Sequence, residues 1–409
     1  MKKIIISTLM VGVFIFFCGG CVVSVPSPPL VTLPVEEQMI RGINEFGVSL
    51  LRELWKTKEE NLFLSPAGIE MALSMAAGGA RGKTQEEMLR VMGLSGMTLE
   101  TIRENNLNLV KMLNGASAKV EVRTANSLWA RKGIPFYESF LANTRQYYQA
   151  EAEIVDFADP ETLSRINQWV NKATHSKIDR ILDRIPQDAI LVLLNAIYFK
   201  GKWLYRFDPQ KTQSLPFYLL SGEPKNLPTM WQKGKFRYTE NDRLQAIRLP
   251  YGDPGFSMYI ILPREVNGVE ELLHSLDASD LEAIIQGMSE RQGEVYLPRF
   301  TITFEEVLND ILKSLGMRDA FDEMNADFSG MLPIPPVAYV SEVKHKSVLE
   351  VTEEGTEAAA VTSVTINLTA APPEESFLMR VDHPFLLCIR DERNGLFLFV
   401  GVVTNPESM

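Results

Sequence analysis

"EEGTEAAAVTSVTINLTAAPPEES", Glu353 to Ser376, carries three structural signals in one stretch. Glu353, Glu354 and Glu357, ahead of three alanines, read as the first turn of a helix. The Val, Thr and Ile that follow read as a strand, and Pro372 and Pro373 read as a loop. Alternate residues sort the middle part. Thr356, Ala358, Ala360, Thr362, Val364, Ile366 and Leu368 are small and then apolar. Glu357, Ala359, Val361, Ser363, Thr365, Asn367 and Thr369 are mostly polar. That is the period of a half-buried strand. Burying Val364, Ile366 and Leu368 would stabilise by roughly 1.5–3 kcal/mol each. Gly355 allows a bend at the start. The two prolines exclude a hydrogen-bonded ladder at the far end. No Lys or Arg lies between Gly355 and Met379. Two readings fit the segment: an ordinary sheet strand, or a loop that can become one.

The surrounding chain is an ordinary globular sequence. It has 409 residues, 45% hydrophobic and 23% charged, enough for a large core. The formal net charge is −11 and no basic tract offsets it, so nucleic acid is not an expected partner. The four histidines, His175, His274, His345 and His383, form no zinc-binding spacing. Nucleophile elbow, phosphate loop and dinucleotide fingerprint are all missing. The carboxylate pairs Glu86–Glu87 and Glu353–Glu354 read as solvated faces. From these motifs the chain is not expected to be an enzyme, and neither a metal nor a cofactor is expected.

The N-terminus reads as an export signal. Lys2 and Lys3 precede an apolar run of about 14 residues, Ile4 to Phe17, which is short for a membrane span. The "CGGC" that follows, Cys18 to Cys21, reads as a bacterial lipoprotein cleavage box rather than a redox or metal pair. Cys21 is then the lipidated residue. Cys18 stands where the box usually has an aliphatic side chain, and plain secretion is the alternative. Residues 22–35 are proline-rich, an extended tether that reaches roughly 40 Å. The expected layout is a signal at 1–20, a tether at 21–35 and one domain at 36–409. A cell-envelope lipoprotein is expected, surface-exposed or periplasmic. Cys388, in "PFLLCIR", is then the single cysteine of the fold and reads as a buried core thiol.

Within the domain, helical patterns come first. Ile40, Ile43, Phe46, Leu50, Leu51 and Leu54 make a helical stripe over 36–56. Ser65 and Pro66 open a second helix that Gly78 and Gly79 end. Thr84 and Glu87 read as a capping box for a third. Residues 166–181 hold another amphipathic stretch. Strands then take over. Residues 189–203 are apolar nearly throughout, as in a strand buried on both faces. "FSMYIILP" (256–263), "EVYLPRFTI" (from Glu294) and the pair around an Asn394–Gly395 turn are further strands. Helices first, strands mixed in later, and no regular alternation predict an α+β domain.

The quoted segment, "EEGTEAAAVTSV", resembles the hinge of the inhibitory serpins. "NLFLSPAGIEMALSMAAGGARGKTQEEML" (61–89), "ANSLWARKGIPF", "INQWVNKATHSKI", "LLNAIYFKGKW", "VYLPRFTI", "DFSGM", "HKSVLEVTEEGTEAAA" and "DHPFLLCIR" each resemble a serpin block, in the family's order from about residue 37 to 406. The resemblance implies one α+β domain with three sheets, about nine helices and an exposed reactive-centre loop. It also implies a suicide-substrate mechanism. A serine protease cuts the loop and becomes ester-linked to it, and the loop then inserts as a new strand in the main sheet. The two readings of Glu353–Ser376 become two states of one segment.

Residue by residue, the resemblance places Thr356 fourteen residues before a scissile bond at Thr369–Ala370, with Leu368–Thr369 as the neighbouring choice. A small, uncharged bait suits elastase-like or subtilisin-like proteases better than trypsin-like ones, whose buried carboxylate would stay unpaired. Leu368 would also suit papain-like cysteine proteases. Gly355, Thr356, Ala358, Ala359 and Ala360 match the inhibitory hinge. Glu353 is expected to pair with Arg299, and Trp203 matches the tryptophan beneath the point of loop entry. Ser65, Asn195 and His345 match the polar cluster that holds the central strands shut. Gly68 departs from that pattern, since the family commonly has a second serine there. The departure implies a weaker lock, with a partner unsatisfied or a water in its place, and serine as the restoring residue. A monomer is expected. The alternative is a non-inhibitory serpin acting as a binding or structural envelope protein.

Overall fold

The computed structural model describes residues 32–115, 119–252, 255–335, 337–355 and 376–407. Helix α1 (Glu37–Trp55) buries the whole predicted stripe. After the short strand β1 (Leu62–Leu64), helix α2 (Pro66–Ala77) starts where the sequence places it. The Ser65 hydroxyl accepts from Gly68 N–H, and Pro66 occupies the first turn, where no N–H partner is needed. Every residue of α2 is buried, so it is a central helix rather than an amphipathic surface one. Helices α3 (Gly82–Val91) and α4 (Leu99–Asn114) lead to strand β2 (Val120–Arg131). Helix α5 (Glu138–Tyr148), strand β3 (Glu151–Val155) and helix α6 (Pro160–Ala173) precede the long strand β4 (Leu191–Gly201).

The second half is mostly sheet. Strands β5 (Gln213–Tyr218), β6 (Pro224–Glu240), β7 (Leu244–Pro250) and β8 (Phe256–Pro263) run consecutively. Helices α7 (Val269–Ser275) and α8 (Ala278–Gln286) precede β9 (Ser289–Pro298), β10 (Phe300–Val307) and helix α9 (Asn309–Ser314). Strand β11 (Val340–Val351) ends just before the quoted segment. Strands β12 (Phe377–Arg380), β13 (Phe385–Asp391) and β14 (Leu396–Val403) close the described chain. Nine α-helices stand among the described residues.

The expected sheets are joined into two ladders. Seventeen-residue β6 pairs with β5, β7 and β9 along its length and so links eight further strands into one sheet. The other sheet has five strands in the order β10-β11-β4-β2-β3. β10 is antiparallel to β11 and β2 antiparallel to β4, but β11 and β4 are parallel, paired from Val340↔Leu191 to Leu349↔Phe199. β4 is buried on both faces, as its apolar run requires. Leu191, Leu193, Ile197 and Phe199 join the main core with α1 and α2, while Val192, Leu194, Ala196 and Tyr198 pack with Ile166 and Val170 of α6.

Three sequence expectations are corrected. Thr84 and Glu87 cap no helix. α3 begins earlier, and both side chains accept from a distant loop instead: Thr84 Oγ1 from Asp327 N–H, Glu87 Oε2 from Arg318 and Asp319 N–H. "EVYLPRFTI" is two strands, because the chain passes from one sheet to the other at Arg299, whose N–H bonds Pro228 C=O. The amphipathic stretch of 166–181 stops at Ala173, and His175 and Ser176 turn the chain with φ of 50° and 61°. Cys388 is a free, buried thiol on β13, and burial pushes its pKa up.

Candidate functional site: the mouth and the seam of the five-stranded sheet

Strand β11 ends in a tight turn, Thr352–Gly355. Thr352 N–H bonds Gly355 C=O and Gly355 N–H bonds Thr352 C=O, both at 3.1 Å, and the Thr352 hydroxyl adds a 2.6 Å bond to Gly355 C=O. Gly355 has φ +94°, which favours glycine, and a Cβ there would lie 2.2 Å from Gly201 C=O. Trp203 lies directly against this turn. Its indole N–H donates to Thr352 C=O at 2.9 Å, and its backbone N–H donates to Glu354 C=O at 3.1 Å. The indole stacks on Tyr251, with centroids 4.6 Å apart.

Glu353 is buried. Its carboxylate accepts from the Thr212 hydroxyl at 2.7 Å and lies 3.4 Å from Arg299 Nε. That Nε makes no well-directed hydrogen bond, so the Arg299 contact is an ion pair by proximity, with Arg299 one-third exposed. Phe207 N–H also holds Glu353 C=O at 3.0 Å. The turn, Trp203, Glu353 and Arg299 thus meet at one end of the β4–β11 seam.

Midway along the seam lies a polar relay. Ser65 N–H donates to His345 Nε2 at 3.2 Å. A backbone N–H can only donate, so Nε2 is bare and Nδ1 carries the proton. His345 Nδ1 then donates to Asn195 Oδ1 at 2.7 Å, across the seam from β11 to β4. Asn195 Nδ2 donates onward to Asn126 Oδ1 on β2 at 2.6 Å. The Ser347 hydroxyl anchors the same face of β11 to Phe63 C=O.

Gly68 does not weaken this cluster in the expected way. None of the side-chain polar atoms of Ser65, Asn126, Asn195 or His345 is among the buried atoms without a partner. The space of the missing hydroxyl is occupied: a Cβ on Gly68 would lie 2.6 Å from both Nδ2 and Oδ1 of Asn195. Gly68→Ser is therefore expected to displace the Asn195 carboxamide and destabilise the native state by about 1–3 kcal/mol. A denaturant unfolding curve checks this. An unfolding midpoint raised by the serine would contradict it.

Two buried titratable groups flank the start of α2. Burial pushes His345 down to about 3, from an ordinary 6.5. The unfolded chain takes up this proton below about 6.5 and the native chain resists it. The histidine's contribution is therefore full above 6.5 and lost as pH falls toward 3. Glu70, one turn into α2, behaves oppositely. Burial raises it to about 7, against bonds from Ser74 and Asn106 that lower it. Its Oε2 and Asn106 Oδ1 have no partner. The native chain keeps this proton that the unfolded chain loses from about 4.5 upward, so its contribution is lost as pH rises to 7. Glu70→Gln is expected to raise the thermal midpoint at pH 8 and leave it nearly unchanged at pH 4, in scans at one heating rate. An unchanged midpoint at pH 8 would refute the buried charge.

Thr356, Ala358, Ala359, Ala360, Leu368, Thr369, Ala370 and Cys21 lie outside the described residues. Among the described residues no cluster of His, Cys, Asp or Glu could hold a metal ion. Sequence reasoning missed Asn126. The available signal was an asparagine in the alternating row Val120, Val122, Thr124, Asn126, Leu128, Ala130 of a largely buried strand.

The parallel β4–β11 seam, the turn at its end and the polar row across it make up the candidate site, and the chain that carries them has known relatives. A sequence model of the family described as "Serpin (serine protease inhibitor)" matches residues 41–406. An uncharacterized serpin-like protein of Thermococcus kodakarensis is 36% identical, over 98% of this chain and 99% of that one. The leukocyte elastase inhibitor of Equus caballus is 35% identical, over 90% of this chain and all of that one. The crystal structure of the thermophilic serpin tengpin in its native state superposes with a TM-score of 0.83 at 29% identity, covering 93% of this chain and 97% of that one. The chain belongs to the serpin family. The expectation drawn from missing catalytic motifs, that the chain is not an enzyme, is corrected by this match to a positive description: the family is one of enzyme inhibitors.

Proposed function

We propose that the chain inhibits serine proteases as a suicide substrate, with the segment 353–376 as bait and the β4–β11 seam as its receiving site. The parallel pairing of β4 with β11 carries the reading. A segment that folds back at the Thr352–Gly355 turn runs antiparallel to β11. Because β11 and β4 are parallel, it runs antiparallel to β4 too. One inserted strand replaces a parallel pairing with two antiparallel ones, which are slightly more stable per residue. The alternation from Thr356 to Thr369 is long enough to line twelve-residue β11. It would set Val364, Ile366 and Leu368 on the face that the apolar core covers. While the chain is intact, Phe377 is tied to Gly293 in the other sheet, so the far end of the segment is held. A cut at Thr369–Ala370 releases it, and an ester-linked protease travels with the inserting strand.

The target is an elastase-like or subtilisin-like protease, because the bait is small and uncharged. The elastase inhibitor among the relatives supports that class. Export with a lipid on Cys21 and a tether over 22–35 would hold the domain at a cell envelope. Mixing the purified chain with elastase-like, subtilisin-like and trypsin-like proteases tests the function on denaturing gels. A band that survives denaturation, with cleavage after Thr369, is expected with the first two. Clean cleavage by every protease, without a complex, would favour a non-inhibitory binding or structural role.

A further inference from the structure

The relay at the seam has a direction and an end. Asn126, Asn195 and His345 lie opposite one another in register across β2, β4 and β11. Hydrogen-bond donation runs one way along the row. It starts at Ser65 N–H, the cap residue of α2, and passes through His345 and Asn195 to Asn126 Oδ1. Asn126 Nδ2 then points to Met71 Sδ at 3.5 Å, back on α2. One helix therefore holds both ends of a row that ties three strands together.

We propose that Asn126 is a positioning residue for the latch between β4 and β11. A carboxamide can present either its oxygen or its NH2 group to His345. With Nε2 occupied by Ser65 N–H, His345 offers a donor at Nδ1, so the latch exists only if Asn195 presents Oδ1 there. That orientation aims Asn195 Nδ2 toward β2, into a buried place where it needs an acceptor. Asn126 Oδ1 is that acceptor, and it fixes which way Asn195 faces. Gly68 is the complement, because the Asn195 carboxamide fills the volume a Cβ would take. The inference rests on the reading that the seam opens to admit the bait segment.

The test compares heat-driven loop insertion or polymerisation of the full chain for the wild type, Asn126→Leu, His345→Ala and the double variant. Asn126→Leu is expected to speed conversion by about tenfold in the wild-type background. It is expected to add little once His345 is gone, because the two residues act through one hydrogen bond. Equal acceleration in both backgrounds, or none in either, would overturn the proposal. NMR of histidine-labelled protein gives a second readout that requires neither conversion nor a protease. The wild type should show His345 protonated on Nδ1 with a slowly exchanging proton, and Asn126→Leu should lose that protection. A proton on Nε2 in the wild type, or unchanged protection in the variant, would overturn the proposal too. Should Asn126→Leu not fold, Asn126→Asp, which keeps the acceptor, takes its place and should retain the slowly exchanging Nδ1 proton. Its loss there would count against the acceptor role. A wild type that forms no complex with any protease, yet shows the His345 signature and its dependence on Asn126, would overturn the inhibitory reading alone.

Discussion

His345→Ala opens the seam. The substitution strips Ser65 N–H of its acceptor and Asn195 Oδ1 of its donor, both in a fully buried place. Each orphaned group costs about 1–3 kcal/mol, and the vacated imidazole volume adds a cavity term. The cost falls on the closed sheet and not on the inserted one, where a new strand separates β11 from β4. Heat-driven insertion or polymerisation should therefore accelerate by roughly a hundredfold, since each 1.4 kcal/mol is a factor of ten. Native gels after timed incubation at one temperature read the rate directly. A rate equal to that of the wild type would mean that the row holds nothing shut.

Gly355→Val acts at the mouth. The native φ of +94° is strained for any residue with a Cβ, and a β-branched one suffers most. Backbone strain alone costs about 1–3 kcal/mol. The added Cβ also meets Gly201 C=O, Trp203 N and Lys202 Cα, at 2.2, 2.5 and 2.6 Å, and backbone cannot step aside as a flexible side chain can. The Thr352–Gly355 turn should come away from Trp203, and with it the point at which the bait segment enters the seam. Entry then loses its race against hydrolysis of the ester. Titration of a target protease should show about ten times more inhibitor consumed per enzyme trapped, if some 1.4 kcal/mol of that strain reaches the partitioning step. A titration ratio equal to that of the wild type would contradict this account of the mouth.

The parts of the fold that were legible in the sequence are those where local chemistry and tertiary use agree. Ser65 and Pro66 are a cap and a first turn whatever surrounds them, and the helix starts there. The run from Leu191 to Gly201 is apolar on both faces and is buried on both. Elsewhere a local pattern served a distant partner. Thr84 and Glu87 have the spacing of a capping box, but their oxygens receive the N–H groups of a loop more than two hundred residues away. The apolar run continues across Pro298 and Arg299, yet the chain changes sheets at Arg299, and the buried positions shift phase from Val295 and Leu297 to Phe300 and Ile302. Taken alone, Gly68 reads as the loss of a serine hydroxyl. The volume belongs to Asn195, and that is a fact about packing between α2 and β4. The pairing of Glu353 with Arg299 came from family resemblance. That Glu353 is buried, held by Thr212 as well, depends on how the turn seats against the stretch between β4 and β5, through Trp203, Phe207 and Thr212.

The central claim is that the bait segment, once cut, becomes a strand between β4 and β11. Its most direct measurement is the thermal unfolding of the chain before and after a single cut at Thr369–Ala370, made by a protease that is then removed. Insertion buries Val364, Ile366 and Leu368 and completes two new ladders, so the cut chain should unfold at a markedly higher temperature than the intact one. A cut chain that unfolds at the same temperature as the intact one, or below it, would contradict the claim. The segment would then be a loop in both states.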